Sequence, residues 1–136
     1  VELPTVFTGL LDTGGLVEAY SAADLVLHAS VREIFPNAVG EAMACGLPVV
    51  AVDAGGTGEL LGRDGSTGLL VPPDEPAQLA RILAELLTDE PRRRAIGAAA
   101  RRRIEEQFSL VRMVDGYESA LEKVIASDAR HPLVRL

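Results

Sequence analysis

A chain of 136 residues is long enough for one domain with a hydrophobic core of its own. With 48% hydrophobic and 24% charged residues it groups with soluble globular proteins, away from disordered and membrane-embedded ones. The net charge of -7 argues against broad attraction to nucleic acid or anionic lipid. No apolar run approaches the roughly 20 residues that span a bilayer, and the first residues lack the basic-then-apolar order of a signal peptide. A cytoplasmic location is therefore expected. Cys45 is the single cysteine, so no internal disulfide can form, and its setting in Ala42-Met43-Ala44-Cys45-Gly46 reads as a buried, packed helix end.

The chain starts at Val1 and enters an apolar run at once, which suggests a start inside a longer protein. Short apolar runs at Val6-Phe7, Leu25-Val26-Leu27, Val49-Val50-Ala51-Val52 and Leu69-Leu70-Val71 predict strands covered on both faces. Helical patterns lie between them. Leu16, Ala19, Tyr20 and Ala23 recur at i, i+3, i+4 and i+7, and Ala38 to Cys45 is rich in helix formers and closes on Gly46. This alternation predicts an α/β fold, a doubly wound parallel sheet with helices on both faces.

After Pro72-Pro73 the pattern changes to three consecutive helices. Leu79, Ile82, Leu83, Leu86 and Leu87 form one apolar stripe; a second helix begins near Pro91 and carries Ile96, Ala100, Ile104 and Phe108; a third spans about Leu110 to Ile125. In the third, Met113, Val114, Tyr117, Leu121 and Val124 are expected to face inward. The clusters Arg92-Arg93-Arg94 and Arg101-Arg102-Arg103 are expected on a solvated helix face, with Glu105 and Glu106 close by. Residues 1–126 read as the domain and residues 127–136 as a frayed tail in which His131 is solvent-exposed.

The stretch with chemical content runs from Glu33 to Val50. It follows a buried strand ending near Ser30 and should be a loop leading into a helix with Pro36 or Asn37 in its first turn. In an open α/β sheet ligands bind beyond the carboxyl ends of the strands, and a helix N-terminus there offers unpaired N–H groups and partial positive charge to a phosphate. Glu33 lies in the loop and Glu41 about one turn inside the helix, so the two carboxylates can address different ends of one ligand. Carboxylates accept hydrogen bonds from hydroxyls, which sugars present in pairs. His28 near the strand end reads as a hydrogen-bonded core or rim histidine, with ligand contact as the second reading. Asp24 and Asp53 read as turn residues, and Phe35, Met43 and Phe108 as core. No Cys/His or Asp/Glu/His spacing suggests a metal site.

Glu33 and Glu41, inside E-x-F-P-N-x-x-x-E-A-M-A-x-G-x-P-V-V, resemble the E-x7-E signature of retaining glycosyltransferases of family 4, whose architecture is GT-B. Flanking pieces agree in order: Val6-Phe7-Thr8-Gly9, Ala23-Asp24-Leu25, Asp53-Ala54-Gly55-Gly56 with Glu59, and Gly68-Leu69-Leu70-Val71-Pro72-Pro73. The resemblance covers about Val6 to Ile125 and implies part of the Rossmann-like C-terminal, donor-binding domain. It places Glu33 on hydroxyls of the transferred sugar as the catalytic residue. Ile34, Phe35, Pro36 and Asn37 lie along the sugar and phosphates, Glu41 accepts from the ribose, and Gly55 and Gly56 let backbone approach the ligand. Ile34 stands where the family usually has Gly, Gly58 where it often has Pro, and Ala29 where Pro is common.

The implied activity is transfer of a hexose-type sugar from a nucleoside-diphosphate sugar to a saccharide, lipid or small-molecule acceptor. Anomeric configuration is retained, and no cofactor or tightly held metal takes part. The implied partners include no nucleic acid, and no segment spans a membrane; peripheral membrane association through the missing half stays open. Leaving-group charge would be met by the helix dipole and by an Arg and Lys pair that family members carry upstream of this segment. The fragment by itself is expected to be inactive. Three alternatives stay open: glycoside hydrolysis, which also uses two carboxylates; a GT-B nucleotide-sugar epimerase or phosphorylase; and a non-catalytic sugar-nucleotide-binding module. The Glu33 loop and the Gly55 turn are expected at one sheet edge, and part of the sheet is expected to be open.

Overall fold

Four consecutive small apolar residues, Val49–Val52, form strand β2 and all four are buried, as a strand covered on both faces requires. Strands β1 (Val26–His28) and β3 (Leu69–Val71) flank it in a parallel sheet of order β1-β2-β3. Val26 lies beside Val49 and His28 beside Ala51; on the other side Val50 pairs with Leu69 and Val52 with Val71. The computed structural model describes residues 4–128. Parallel neighbours need long crossovers, and each carries a helix: α2 (Asn37–Ala44) between β1 and β2, and α3 (Thr57–Leu61) between β2 and β3. Helix α1 (Thr13–Ala22) precedes β1, and α4 (Pro76–Thr88), α5 (Glu90–Gln107) and α6 (Leu110–Asp128) follow β3.

The two-residue period of β2 divides its side chains between two cores. Val49 and Ala51 meet Val39, Ala42 and Met43 of α2, Leu60 and Leu61 of α3, and Ala100 of α5. Val50 points the other way, to Val71, Leu86 of α4 and Ile96 of α5. Each large side chain buried in this way stabilises the fold by about 1.5–3 kcal/mol. Helix α5 serves both cores because Gly97 rests on the backbone of Gly46 and Leu47, where any Cβ would overlap the Gly46 carbonyl. Helix ends follow the local chemistry. Asp12 accepts from Gly15 N–H at 2.8 Å to start α1, and Asp89 from Arg92 N–H at 3.0 Å to start α5. Helix α2 stops at Gly46, which takes φ 78°.

The fold class and the three final helices stand as expected from the sequence, and several details differ. Val6 and Phe7 are exposed and form no strand, because among the described residues no strand ladders with them or with the outer edge of β1. A strand exists only through hydrogen bonds to a neighbour, so the sheet is open on the β1 side, as anticipated. Leu87 is exposed, leaving Leu79, Ile82, Leu83 and Leu86 as the working stripe of α4. In α6 the expected inward face, Met113, Val114, Tyr117, Leu121 and Val124, is exposed throughout. Periodicity showed that the face exists but not what would cover it. Phe35, read as core, is half exposed, and Cys45 is only partly buried. Ser127 and Asp128 continue α6; the rest of the expected tail, with His131, lies outside the described residues.

Two arginines read as solvated are structural ties instead. Arg93 donates to the carbonyls of Leu86 and Leu87 at 2.7 and 2.8 Å, closing the end of α4, and reaches Asp24 at 3.4 Å. Arg103 donates to the carbonyls of Leu60 and Glu59 at the end of α3 and lies over the Phe108 ring. Carbonyls at a helix C-terminus carry partial negative charge and lack intrahelical partners. Arg94 and Arg101 do lie on a solvated face, as expected, where they make i,i+4 pairs with Glu90 and Glu105.

Candidate functional site

The carboxyl ends of β1 and β2 release two segments that pack against each other, the loop 29–36 and the turn 53–56. Gly56 N–H donates to the Ile34 carbonyl at 2.7 Å. Gly55, at φ 52°, lies so close to Glu33 that a Cβ would fall on its backbone carbonyl, and a Cβ on Gly56 would sit 2.5 Å from the Ile34 carbonyl oxygen. Close backbone approach therefore requires both glycines, and at Gly55 the positive φ requires one as well. The Glu33 loop and the Gly55 turn share one sheet edge, as the sequence predicted. The glycines serve that edge by seating the Glu33 loop.

Strand alternation turns Val26 and His28 to the α2 side of the sheet. The loop then folds back over the strand end, bringing Glu33 Oε1 to 3.1 Å from His28 Nε2. Their side chains are 17% and 24% exposed, so each retains access to solvent. Ile34 contributes its carbonyl to the turn and is itself 92% exposed. Phe35 leans on Phe108 with ring centroids 5.9 Å apart and an interplanar angle of 45°. Pro36 is buried at the N-cap of α2 and offers no side-chain cap, in contrast to Asp12 at α1 and Asp89 at α5. Asn37 opens the helix.

Glu41 is exposed one turn along α2. Asn37, Gly40, Glu41 and Ala44, at helical spacing, form one wall of a groove of about 300 Å³ closed by Phe35, Pro36, Leu60, Ile104 and Phe108. Behind Glu41 stands Tyr20 of α1, which the sequence placed on an apolar stripe and which is also a hydrogen-bonding group. Its hydroxyl donates to the Ala38 carbonyl at 3.3 Å. Burial, then the Glu41 carboxylate and Cys45, raise the Tyr20 pKa above its ordinary value, which keeps the phenol a donor. Aromatic residues at helical spacing conceal such roles, and only the neighbour across the helix pair reveals them.

Other predicted residues have structural duties. Asp53, at the end of β2, forms a two-contact ion pair with Arg63 at 2.5 and 3.2 Å. A larger concavity of about 360 Å³ lies at the opposite, amino ends of the strands, lined by Ala23, Asp24, Leu47, Pro48, Arg93 and Arg94. It contains none of the predicted site residues, its arginines are engaged with Asp24 and Glu90, and it lies at the wrong sheet end for an open α/β ligand site.

A parallel sheet with a carboxylate-bearing loop, a glycine turn beneath it and a helix start without a side-chain cap has the plan of a Rossmann-like nucleotide-binding half-domain. The family model "Glycosyl transferases group 1" matches residues 4–103. The chain belongs to this family, and its α/β architecture is that of GT-B structural neighbours. It is 42% identical over 108 residues to the GDP-mannose-dependent alpha-mannosyltransferase of Mycolicibacterium smegmatis, covering 75% of this chain and 27% of that protein. Among solved structures, sucrose-phosphate synthase from Thermosynechococcus elongatus superposes with a TM-score of 0.80 at 32% identity, over 90% of this chain and 30% of the other. The Anabaena protein HepE in complex with UDP-glucose gives a TM-score of 0.72 at 33% identity, over 79% of this chain and 30% of the other. The chain thus spans under a third of the length of each of these proteins. Among the described residues, no helix is long and apolar enough to cross a membrane.

Proposed function

We propose that this chain is the donor-binding portion of a retaining, metal-independent glycosyltransferase of family 4 that moves a hexose-type sugar from a nucleoside-diphosphate sugar to an acceptor. The observation that carries the reading is the seating of the Glu33 loop on Gly55 and Gly56, directly before the start of α2. The diphosphate would meet the first-turn N–H groups of α2, where the helix dipole favours negative charge as the leaving group departs. Ile34 to Asn37 would follow the sugar and phosphates, and Glu41 would accept from the ribose diol. Glu33 would hold hydroxyls of the transferred sugar. The UDP-glucose bound to HepE supports a sugar nucleotide as the ligand class. The same observations also support a second reading, a non-catalytic sugar-nucleotide-binding module.

Calorimetric titration of UDP and GDP into the wild type, Glu41→Ala and Glu33→Ala tests the division of labour. Glu41→Ala should lose about 1.5–3 kcal/mol of nucleoside-diphosphate affinity, the range for hydrogen bonds to a charged group. Glu33→Ala should leave it unchanged, since its partner is the sugar. Equal weakening by both variants, or by neither, refutes the assignment of ribose to one glutamate and sugar to the other.

A further inference from the structure

We propose that His28 is a positioning residue for Glu33, holding one carboxylate oxygen so that the other is presented to a hydroxyl of the donor sugar. The proposal rests on the donor-binding reading above and adds a determinant of sugar recognition to it. An ionised carboxylate only accepts hydrogen bonds, so the 3.1 Å contact requires the proton to sit on His28 Nε2. The remaining lone pairs, those of Oε2 above all, stay available to a ligand.

The backbone on both sides of this contact is fixed. His28 belongs to β1, whose register against the fully buried β2 sets it beside Ala51. The Glu33 backbone is held by Gly55, and the next residue by the hydrogen bond from Gly56 to the Ile34 carbonyl. What remains free is the Glu33 side chain, which on a loop rim would otherwise turn through several rotamers. The imidazole removes that freedom before any ligand arrives. Groups that orient a ligand-contacting side chain in this way lower the entropic cost of binding. A simple loop staple would give the same contact but a different signature: it would hold the loop for every ligand, whereas a carboxylate aimer matters only for a ligand that carries the sugar.

The test is calorimetry of the wild type, His28→Ala and His28→Gln with four probes: UDP, UDP-glucose, GDP and GDP-mannose. Thermal melts confirm that each variant is folded. The wild type should bind one sugar nucleotide more tightly than the matching diphosphate. His28→Ala should reduce that preference about tenfold, the size of one hydrogen bond to a charged group, while its diphosphate Kd changes by less than about twofold on the same scale. His28→Gln, whose amide can donate to the same oxygen, should recover most of the preference. The ring 15N shifts of His28 should report a proton on Nε2 that Glu33→Ala redistributes. A preference undiminished in His28→Ala, or equal weakening for diphosphate and sugar nucleotide, overturns the role of His28. A wild type without any sugar preference overturns the Glu33 contact itself, and this assignment with it.

Discussion

Helices α2 and α6 both carry apolar faces at helical spacing, yet one is packed into the core and the other lies open. In α2, Val39, Ala42 and Met43 are fully buried between β2, α3 and α5. In α6, Leu110, Val114, Tyr117, Leu121 and Val124 are all exposed. Helix α2 has eight residues and α6 has 19, so length does not decide which is held in place. Tertiary cover does, because short helices are marginal in water without it. The candidate site is built on the covered helix, and that is what gives it defined geometry.

The sharpest way to break this comparison is a pair of truncations. Met43→Ala should destabilise the fold by about 2–5 kcal/mol, as buried large-to-small changes do, whereas Leu121→Ala should change it by less than about 0.5 kcal/mol. Urea unfolding followed by circular dichroism measures both. A large loss at Leu121 would show that α6 is covered in solution.

Neighbouring arginines offer a second contrast. Arg93→Gln removes a largely buried guanidinium from the Leu86 and Leu87 carbonyls and should cost about 1.5–3 kcal/mol. Arg94→Gln removes only an exposed pair with Glu90 and should cost between about 0 and 1 kcal/mol. Equal effects in the same unfolding assay would mean that the packed body does not depend on this closure of α4.

A third prediction concerns Tyr20 behind Glu41. Tyr20→Phe should cost about 0.5–1.5 kcal/mol for the lost hydrogen bond to Ala38. It should also alter the alkaline limb of stability. The Tyr20 pKa is higher in the folded than in the unfolded state, so its contribution is full below the unfolded value and is lost as pH rises through the folded one. Melts above the ordinary tyrosine range should fall less steeply for Tyr20→Phe than for the wild type.

The smallest expected effect is a gain. Asp74, between β3 and α4, adopts φ 61°, a left-handed conformation that side chains other than glycine disfavour. Asp74→Gly should raise stability by at most about 1 kcal/mol, after the unfolded chain's added freedom is set against the relief. A loss in the unfolding midpoint would mean that the Asp74 carboxyl contributes more than its backbone costs.

Much of this was legible in the sequence because it depends on local pattern. Val49–Val52 read as a strand covered on both faces since four apolar residues in a row leave no side for water, and the helix closing on Gly46 followed from helix formers meeting a residue free to take positive φ. Glu33 and Glu41 could be placed on a loop and on a helix for the same reason. The order of blocks from Gly9 to Pro73 carried the family resemblance. Val6 and Phe7 failed as a strand because strand formation requires a neighbour, which no local run can guarantee. Only the folded chain decided that Arg93 and Arg103 close helices while Arg94 and Arg101 stay at the surface, since helix-end carbonyls up to 44 residues away select among identical side chains. Tertiary structure likewise joined His28 to Glu33 and set Gly55 against the Glu33 backbone. Those contacts depend on how two strand ends and their loops meet in space, which hydrophobic periodicity and residue spacing do not encode.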